Sequence, residues 1–245
     1  MAGDPHRFEV PEARGWRWLA ASVHLFTALG IVCALFAVHA TLDRAFEKAF
    51  IWLGVALIID GIDGTFARAL DVKRRLPGFS GEKLDQVVDY VTYVFVPVLA
   101  LQLGGYLVGL WGGILACLIL LSSLYHFCDE GNKSDDHCFV GFPAIWNIVA
   151  FYIFAFALPG WAVSLIVLVC VALTFVRMRW LHPLRVRALR PVNLAMSGLW
   201  ALAALWTVSV GFPASAGALA ALGVVAIYGI GLSVLWPLLG GEDDA

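Results

Sequence analysis

The sequence is poor in charge, since Asp, Glu, Lys and Arg make up only 14% of its 245 residues, against about 25% in soluble domains. Hydrophobic residues make up 61%, so the chain has too little polar surface to cover a water-soluble globule. Five cysteines, few and odd in number, do not suit a disulfide scaffold. A net charge of −2 argues against nucleic acid as the main partner. With these classes of protein excluded, the composition predicts a polytopic helical membrane protein.

Long charge-free runs predict the number of membrane spans, because a helix needs about 20 residues to cross the bilayer. Residues 18–42 form the first run, and a second span ends near Asp60. Three runs of about double length, each with glycine or proline near its middle, predict pairs of helices over residues 90–128, 139–176 and 191–241. The sequence therefore predicts an all-α bundle of about eight transmembrane helices.

Lysine and arginine predict the orientation of this bundle. Eight spans place both termini on one side, and 14 of the 16 Lys and Arg residues fall on that side; Arg44 and Lys48 are the exceptions. The positive side is normally cytoplasmic. We expect one membrane-embedded catalytic domain over residues 1–245, with a cytoplasmic or interfacial segment (1–17), a transmembrane bundle (18–236) and a cytoplasmic tail (237–245). A bacterial inner membrane is the expected location.

Four aspartates at the ends of two neighbouring helices are the main chemical feature. Asp60 and Asp63 share one face of the second helix, and Asp85 and Asp89 share one face of the third. A short loop joins these helices, so the four carboxylates are expected to converge near the membrane surface. Carboxylates in a membrane are costly and usually functional, and they suit Mg²⁺ or Mn²⁺. The sequence predicts a site for two such ions, an arrangement that holds phosphoryl groups.

Small residues surround the predicted metal site. Gly64 and Ala67 each lie one turn after a carboxylate, and Gly81 lies one turn before one. They leave the carboxylate face free of bulk, so that a flat group can approach the backbone. Arg68 offers a forked donor suited to phosphate, and Ser80 is a plausible N-cap for the third helix.

The pattern Asp-x2-Asp-Gly-x2-Ala-Arg over residues 60–68, followed by Gly-x3-Asp-x3-Asp over residues 81–89, resembles the signature of the CDP-alcohol phosphatidyltransferase family. All eight signature residues are present. The loop between the two halves, residues 69–80, is longer than in most of the family. That loop, the eight spans and the stretch 125–152 are similar to a branch that uses choline as the acceptor alcohol.

This resemblance implies a fold, a reaction and a role for each signature residue. The fold would be a six-helix core with two additional C-terminal helices, assembled as a homodimer. The substrates would be CDP-diacylglycerol and free choline, CMP would be released, and membrane lipids would be further partners of the protein. By the same resemblance, the metal ligands would be Asp60, Asp63, Asp85 and Asp89, the proton acceptor would be Asp89, and the CDP-diacylglycerol contacts would be Gly64, Ala67, Arg68 and Gly81.

Choline recognition has a separate physical basis. Choline is a permanent cation without a phosphate, and quaternary ammonium groups are held by aromatic faces with help from carboxylates. Tyr93 lies four residues after Asp89, and Trp146 is expected near the same depth at the start of the fifth span. Tyr90 and Tyr125 are further candidates for choline binding. Each of these aromatic residues could instead belong to an interfacial belt.

Other functions remain open from the sequence. Within the same family, glycerol 3-phosphate, serine or inositol could replace choline as the acceptor. An intramembrane prenyltransferase also uses Asp-rich metal sites, and a secondary transporter could carry carboxylates in the membrane. A zinc site at His126, Cys128, His137 and Cys138 is a further possibility, although the spacing is not that of a standard zinc motif.

Overall fold

A computed structural model describes residues 14–129, 139–176, 179–180 and 189–235 of the chain. The all-α prediction is confirmed within these residues. The helices are α1 (Arg14–Leu42), α2 (Phe46–Ala69), α3 (Val72–Arg75), α4 (Gly81–Asp89), α5 (Val96–Leu103), α6 (Gly109–Cys128), α7 (Trp146–Ala155), α8 (Gly160–Thr174), α9 (Arg190–Val210) and α10 (Ala216–Leu235). A π-helical segment, Tyr90–Phe95, joins α4 to α5.

Strand pairing in the described part of the chain is limited to one short antiparallel ladder between β1 (Phe139–Val140) and β2 (Arg179–Trp180). Phe139 pairs with Trp180, and Val140 pairs with Arg179. The predicted interfacial segment 1–17 and tail 237–245 lie outside the described residues, apart from the backbone of the first turn of α1. The single-domain organisation over residues 1–245 stays a prediction.

Six helical stretches are long and apolar enough to cross a membrane. They are Trp18–Leu42, Phe46–Ala69, Gly81–Leu103, Gly109–Cys128, Arg190–Val210 and Ala216–Ser233. Two shorter apolar helices, α7 and α8, complete a set of eight within the described residues. The protein is therefore a multi-pass membrane protein, and the number of apolar helices agrees with the prediction.

The predicted lengths of the fifth and sixth spans are wrong. The run 139–176 was expected to hold two full spans, but α7 has 10 residues and α8 has 15. At 1.5 Å per residue their lengths are about 15 Å and 22 Å, below the hydrocarbon thickness of about 30 Å. The first part of the run instead forms β1 and a turn, in which Gly141 and Ala144 have φ angles of +82° and +53°.

A cluster of phenylalanines fixes how α2 and α7 pack. The ring of Phe46 lies 4.8 Å from that of Phe154, and the ring of Phe50 lies 5.6 Å from that of Phe151. Residue numbers rise along α2 as they fall along α7, so the two helices are antiparallel. We call the end of the bundle where α2 ends and α4 begins the carboxylate end, and the opposite end, where Phe46 lies, the far end.

The loop between α9 and α10 is tied to the far end of the bundle. The backbone N–H of Phe212 donates a hydrogen bond to Glu47 Oε1 at 3.2 Å, and the N–H of Ala214 donates to the carbonyl of Ala155 at 2.9 Å. The ring of Phe212 also packs 5.4 Å from that of Phe50. These contacts hold α9 and α10 against α2 and α7.

Adjacent glycines near the start of α6 give a test of how this helix packs against the turn before it. A Cβ atom at Gly112 would lie 2.2 Å from the carbonyl carbon of Leu107, whereas one at Gly113 would meet nothing within 4 Å. We expect Gly112→Ala to lower the free energy of unfolding by about 1–3 kcal/mol, because backbone must move. Gly113→Ala should leave it unchanged or raise it by up to about 1 kcal/mol. Thermal unfolding in one detergent, followed by tryptophan fluorescence, measures the difference; equal melting temperatures would contradict the packing.

Candidate active site

Helices α2 and α4 bring three aspartates together at the carboxylate end. One carboxylate oxygen each from Asp60, Asp85 and Asp89 lies within 4.8 Å of the others, and all three side chains are partly buried. Ser80 Oγ accepts a hydrogen bond from the N–H of Lys83 at 3.2 Å, which confirms the predicted N-cap of α4. Helix α2 continues past its two aspartates to Ala69, so Asp60 lies inside a helix rather than at its end.

Asp63 is the fourth aspartate of the predicted site and lies outside the tight group of three. Its side chain is buried, with 6% of its surface exposed. It nevertheless lies close enough for its charge to act on Asp60, Asp85 and Asp89. The structure thus brings three of the predicted ligands together and places the fourth beside them.

The clustered carboxylates need a cation. At 4.8 Å and an effective dielectric constant of about 20, each charged pair repels by about 3–4 kcal/mol. The ion pair recorded among the described residues joins Arg74 to Asp71 at 4.0 Å and includes none of the four aspartates. Closely spaced carboxylate oxygens are the ligands that Mg²⁺ and Mn²⁺ prefer. The donor set therefore fits a divalent metal ion.

Tyr93 contacts the acidic cluster directly. Its hydroxyl donates a hydrogen bond of 2.5 Å to Asp60 Oδ2, and its side chain is 8% exposed. Tyr93 lies in the π-helical segment, where the N–H of Val96 bonds to the carbonyl five residues earlier. The wider π turn changes the direction of the side chains that follow Asp89. The ring of Tyr93 was predicted to bind choline. In the structure, the hydroxyl of Tyr93 bonds to the carboxylate of Asp60 and so orients it.

The small residues predicted to form a bare face have close neighbours. A Cβ atom at Gly64 would lie 3.3 Å from Arg68 Nη1, so the guanidinium lies over this glycine. Arg68 is exposed and donates from Nη2 to Thr65 Oγ1 at 3.2 Å. Ala67 is half-buried one turn after Asp63. Gly64, Ala67 and Arg68 therefore lie in the last turns of α2, next to Asp63.

Gly81 packs against a histidine that the sequence reasoning missed. A Cβ atom at Gly81 would lie 2.6 Å from Cε1 of His24, so the glycine allows α1 and α4 to approach closely. The His24 ring lies 4.6 Å from that of Phe79. Its Nε2 atom is buried and finds no hydrogen-bond partner among the described residues. The available signal was a titratable side chain inside the charge-free run 18–42.

The other aromatic candidates for choline lie in different surroundings. Trp146 is fully buried and donates from Nε1 to Ser123 Oγ at 2.9 Å, so its indole has no exposed face for a cation. The Tyr90 hydroxyl donates to the carbonyl of Leu120 at 3.0 Å. The Tyr125 ring is 52% exposed and lies 5.2 Å from that of Phe175. Of the four candidates, Tyr93 is the one with a recorded contact to an aspartate.

The alternative zinc site falls mostly outside the described residues. His126 is buried and Cys128 is exposed, both at the end of α6. His137 and Cys138 lie outside the described part of the chain. The zinc site therefore stays a hypothesis.

The chain belongs to the CDP-alcohol phosphatidyltransferase family, whose sequence profile matches residues 22–176, more than half of the chain. Members of this family are transferases that generally use a divalent metal, and the acidic cluster provides a fitting site for one. The match ends before α9 and α10.

Similar proteins are known in several bacteria. A phosphatidylcholine synthase of Bradyrhizobium diazoefficiens is 46% identical over 186 residues, covering 76% of this chain and 70% of the relative. A phosphatidylcholine synthase of Pseudomonas aeruginosa is 42% identical over 194 residues, covering 79% of both chains. One of Rhizobium meliloti is 43% identical over 183 residues, covering 75% of this chain and 76% of the relative.

The hydroxyl of Tyr93 gives a test of the metal site. Tyr93→Phe keeps the ring and removes the hydrogen bond to Asp60, so the carboxylate loses the group that orients it. We expect the affinity for Mn²⁺ to fall by about tenfold or more, as for other partners of metal ligands. The electron paramagnetic resonance signal of free Mn²⁺ measures this affinity on the purified protein.

A matched variant controls for the loss of a tyrosine hydroxyl. Tyr90 lies in the same π-helical segment, but its hydroxyl bonds to the carbonyl of Leu120. Tyr90→Phe should therefore leave Mn²⁺ affinity unchanged. Equal affinities in the two variants would mean that the bond from Tyr93 does not orient the metal site.

Proposed function

We propose that this protein makes phosphatidylcholine by transferring the phosphatidyl group of CDP-diacylglycerol to free choline, with release of CMP. The observation that carries the proposal is the cluster of Asp60, Asp85 and Asp89 oxygens, formed by residues of the family signature. Relatives named phosphatidylcholine synthase, aligned over about three quarters of the chain, support choline as the acceptor.

The proposed reaction breaks a phosphoanhydride bond and forms a phosphoester bond. The choline hydroxyl oxygen forms a bond to the lipid-side phosphorus, and the bond from that phosphorus to the bridging oxygen of CMP breaks. The electron pair of the broken bond leaves with CMP. Asp60, Asp63, Asp85 and Asp89 would hold two divalent ions, Mn²⁺ or Mg²⁺, whose positive charge would stabilise the diphosphate.

Asp89 accepts the proton of the choline hydroxyl in this proposal. A hydroxyl group is a weak nucleophile at neutral pH, so a positioned base accelerates its attack. Asp89 is the last residue of α4 and borders the π-helical segment, one turn beyond Asp85. Its partial burial within the cluster limits the contact of the carboxylate with water.

The nucleotide part of the donor would lie against the signature residues next to the cluster. Gly64, Ala67 and Gly81 border the cytidine in this proposal, and Arg68 contacts a phosphate. The exposed guanidinium of Arg68 is held by one recorded bond, to Thr65 Oγ1, and a phosphate oxygen can replace that acceptor.

The choline ammonium would be held by the carboxylates and by nearby ring faces. Tyr90 and Tyr93 follow Asp89 directly in the π-helical segment, so they are the aromatic residues nearest to it along the chain. The enclosed position of Trp146 and the exposed position of Tyr125 give them less support as choline contacts. A phosphorylated acceptor would instead need arginine or lysine beside Asp89.

We also propose the location and assembly that the sequence predicts. Fourteen of the sixteen Lys and Arg residues favour cytoplasmic termini and a cytoplasmic active site in a bacterial inner membrane. Labelling of single cysteines placed near Asp71 and near Asp43 from each side of the membrane measures this orientation. The homodimer implied by the family resemblance is measured by native mass spectrometry.

A panel of acceptor alcohols tests the proposed function. Purified protein with CDP-diacylglycerol and Mn²⁺ should release CMP with choline and make phosphatidylcholine, and it should do so faster than with glycerol 3-phosphate, serine or inositol. EDTA should abolish turnover, and added Mn²⁺ or Mg²⁺ should restore it. Faster turnover of serine or glycerol 3-phosphate would overturn the choline assignment, while full turnover after chelation would overturn the metal assignment.

The role of Asp89 is tested by comparing two amide variants. Asp89→Asn should lower kcat by about 10²–10⁴-fold, the usual contribution of a general base, and largely spare CDP-diacylglycerol binding. Asp85→Asn should weaken both metal and nucleotide binding, because it removes a ligand. Loss of nucleotide binding in Asp89→Asn would make this residue chiefly a ligand, and near-normal turnover would remove it as the base.

A further inference from the structure

The segment that joins α2 to α4 carries a concentration of positive charge, most of which has no role in the chemistry described so far. Residues 68–83 include five basic residues and two acidic ones. Lys73 and Lys83 are exposed, and the side chain of Arg74 is 81% exposed. We call Lys73, Arg74 and Lys83 the basic surface.

We infer that the basic surface docks the headgroups of anionic phospholipids, and that the donor lipid collects there before it moves to the carboxylates. The inference rests on the proposed function, because it takes CDP-diacylglycerol as the donor and phosphatidylcholine as the product. The diphosphate makes the donor anionic, whereas phosphatidylcholine is a zwitterion without net charge. The basic surface therefore attracts the lipid that enters the reaction more strongly than the lipid that leaves it.

Helix α3 is held against the first turns of a membrane span. Its residue Val72 is 3% exposed and forms an apolar cluster with Ala20 and Val23 of α1. The apolar span of α1 begins at Trp18, so these contacts lie about 3 and 8 Å inside the span along the helix axis. Lys73 follows Val72 directly in α3. Its charge is therefore held near the level of the lipid headgroups.

The first turn of α4 lies at the same depth. Gly81 packs against His24 of α1, one residue beyond the α3 contacts, and Lys83 is in the same turn of α4 as Gly81. The ring of Phe79, 4.6 Å from that of His24, is 52% exposed. Exposed apolar rings combined with Lys and Arg are typical of surfaces that bind the membrane interface.

The basic charges lie where a nearby anion would stabilise them. Lys83 is in the first turn of α4, where the positive end of the helix dipole disfavours a cation. Arg74 pairs with Asp71 at 4.0 Å, but this pair is exposed, and exposed pairs contribute little. Glu82 is the other acidic residue, so residues 68–83 keep a net charge of +3. Lipid phosphates at this depth supply negative charge to the basic surface.

The basic surface is separate from the acidic cluster but close to it. Lys83 precedes Asp85 by two residues, which is about 3 Å along α4 and about 200° around it. Its charge therefore faces away from the aspartates, across a helix about 10 Å wide. An anionic lipid that docks there lies about one helix width from the metal site and does not occupy it.

Neutralising two lysines of the basic surface tests the inference. Lys73→Gln with Lys83→Gln removes two charges at exposed positions, and Lys73→Arg with Lys83→Arg keeps them. Lys48→Gln is the matched control, because Lys48 is an exposed lysine at the far end. Native mass spectrometry of the purified protein in EDTA measures the Kd of dioleoyl phosphatidylglycerol and of dioleoyl phosphatidylcholine, which differ in headgroup charge and share their acyl chains.

The glutamine variant should lose affinity for the anionic lipid alone. Wild type should bind phosphatidylglycerol about tenfold more tightly than phosphatidylcholine. The glutamine variant should bind phosphatidylglycerol about fivefold or more weakly than wild type, because each basic residue near an anionic lipid surface contributes about fivefold. Its affinity for phosphatidylcholine should be unchanged. The arginine variant and Lys48→Gln should match wild type with both lipids.

Turnover gives a second measurement. In mixed micelles with excess phosphatidylcholine, the glutamine variant should show a KM for CDP-diacylglycerol about fivefold higher than wild type. Its kcat should be unchanged, because neither lysine contacts the reacting atoms in the proposed reaction. Lys48→Gln should keep both constants of the wild type.

The outcomes separate this inference from the proposed function. Equal affinity of wild type for the two lipids, or unchanged phosphatidylglycerol affinity in the glutamine variant, would overturn the docking surface. A lost lipid preference with an unchanged KM would overturn its part in collecting the donor. A preference for phosphatidylglycerol that the glutamine variant loses, in a protein that makes no phosphatidylcholine, would support the docking surface and contradict the proposed choline transfer.

Discussion

Mutual repulsion among Asp60, Asp85 and Asp89 makes the junction of α2 and α4 the most costly contact of the bundle to form. Three carboxylates within 4.8 Å oppose the packing of α2 against α4, so the surrounding bundle must hold these helices together. Helix α1 does so by packing along both of them. Its close approach to α4 uses two glycines: Gly81 meets His24, and a Cβ atom at Gly30 would lie 2.6 Å from Cγ1 of Val88. Apolar packing thus counters the electrostatic cost until a cation is bound.

The sequence predicts the acidic site well because its residues follow helical spacing. Charges inside apolar runs are rare enough to stand out, and the spacing of Asp60, Asp63, Asp85 and Asp89 assigns each pair to one helix face. Ser80 was also predictable, since an N-cap is a local feature. The family membership follows from the same residues.

The remaining features depend on contacts between distant residues. Six residues are too few for apolar periodicity to predict the π-helical segment after Asp89. This segment determines whether Tyr93 faces its own helix or Asp60. A small residue such as Gly81 leaves space that either a ligand or a neighbouring helix can use, and only the fold reveals His24 beside it. An apolar run also does not distinguish a full span from a short helix with an apolar turn, which explains the error over residues 139–176.

The short helices α7 and α8 have different consequences for the surrounding bilayer. Most of α7 is buried, including Ile153 and Ala155, so its neighbours rather than lipid determine its length. Helix α8 exposes Leu165 and Val169, and its length of about 22 Å is less than that of the hydrocarbon layer. A short lipid-facing helix is matched by local thinning of the membrane, at a fraction of a kcal/mol per Å. We therefore expect the bilayer to thin locally beside α8.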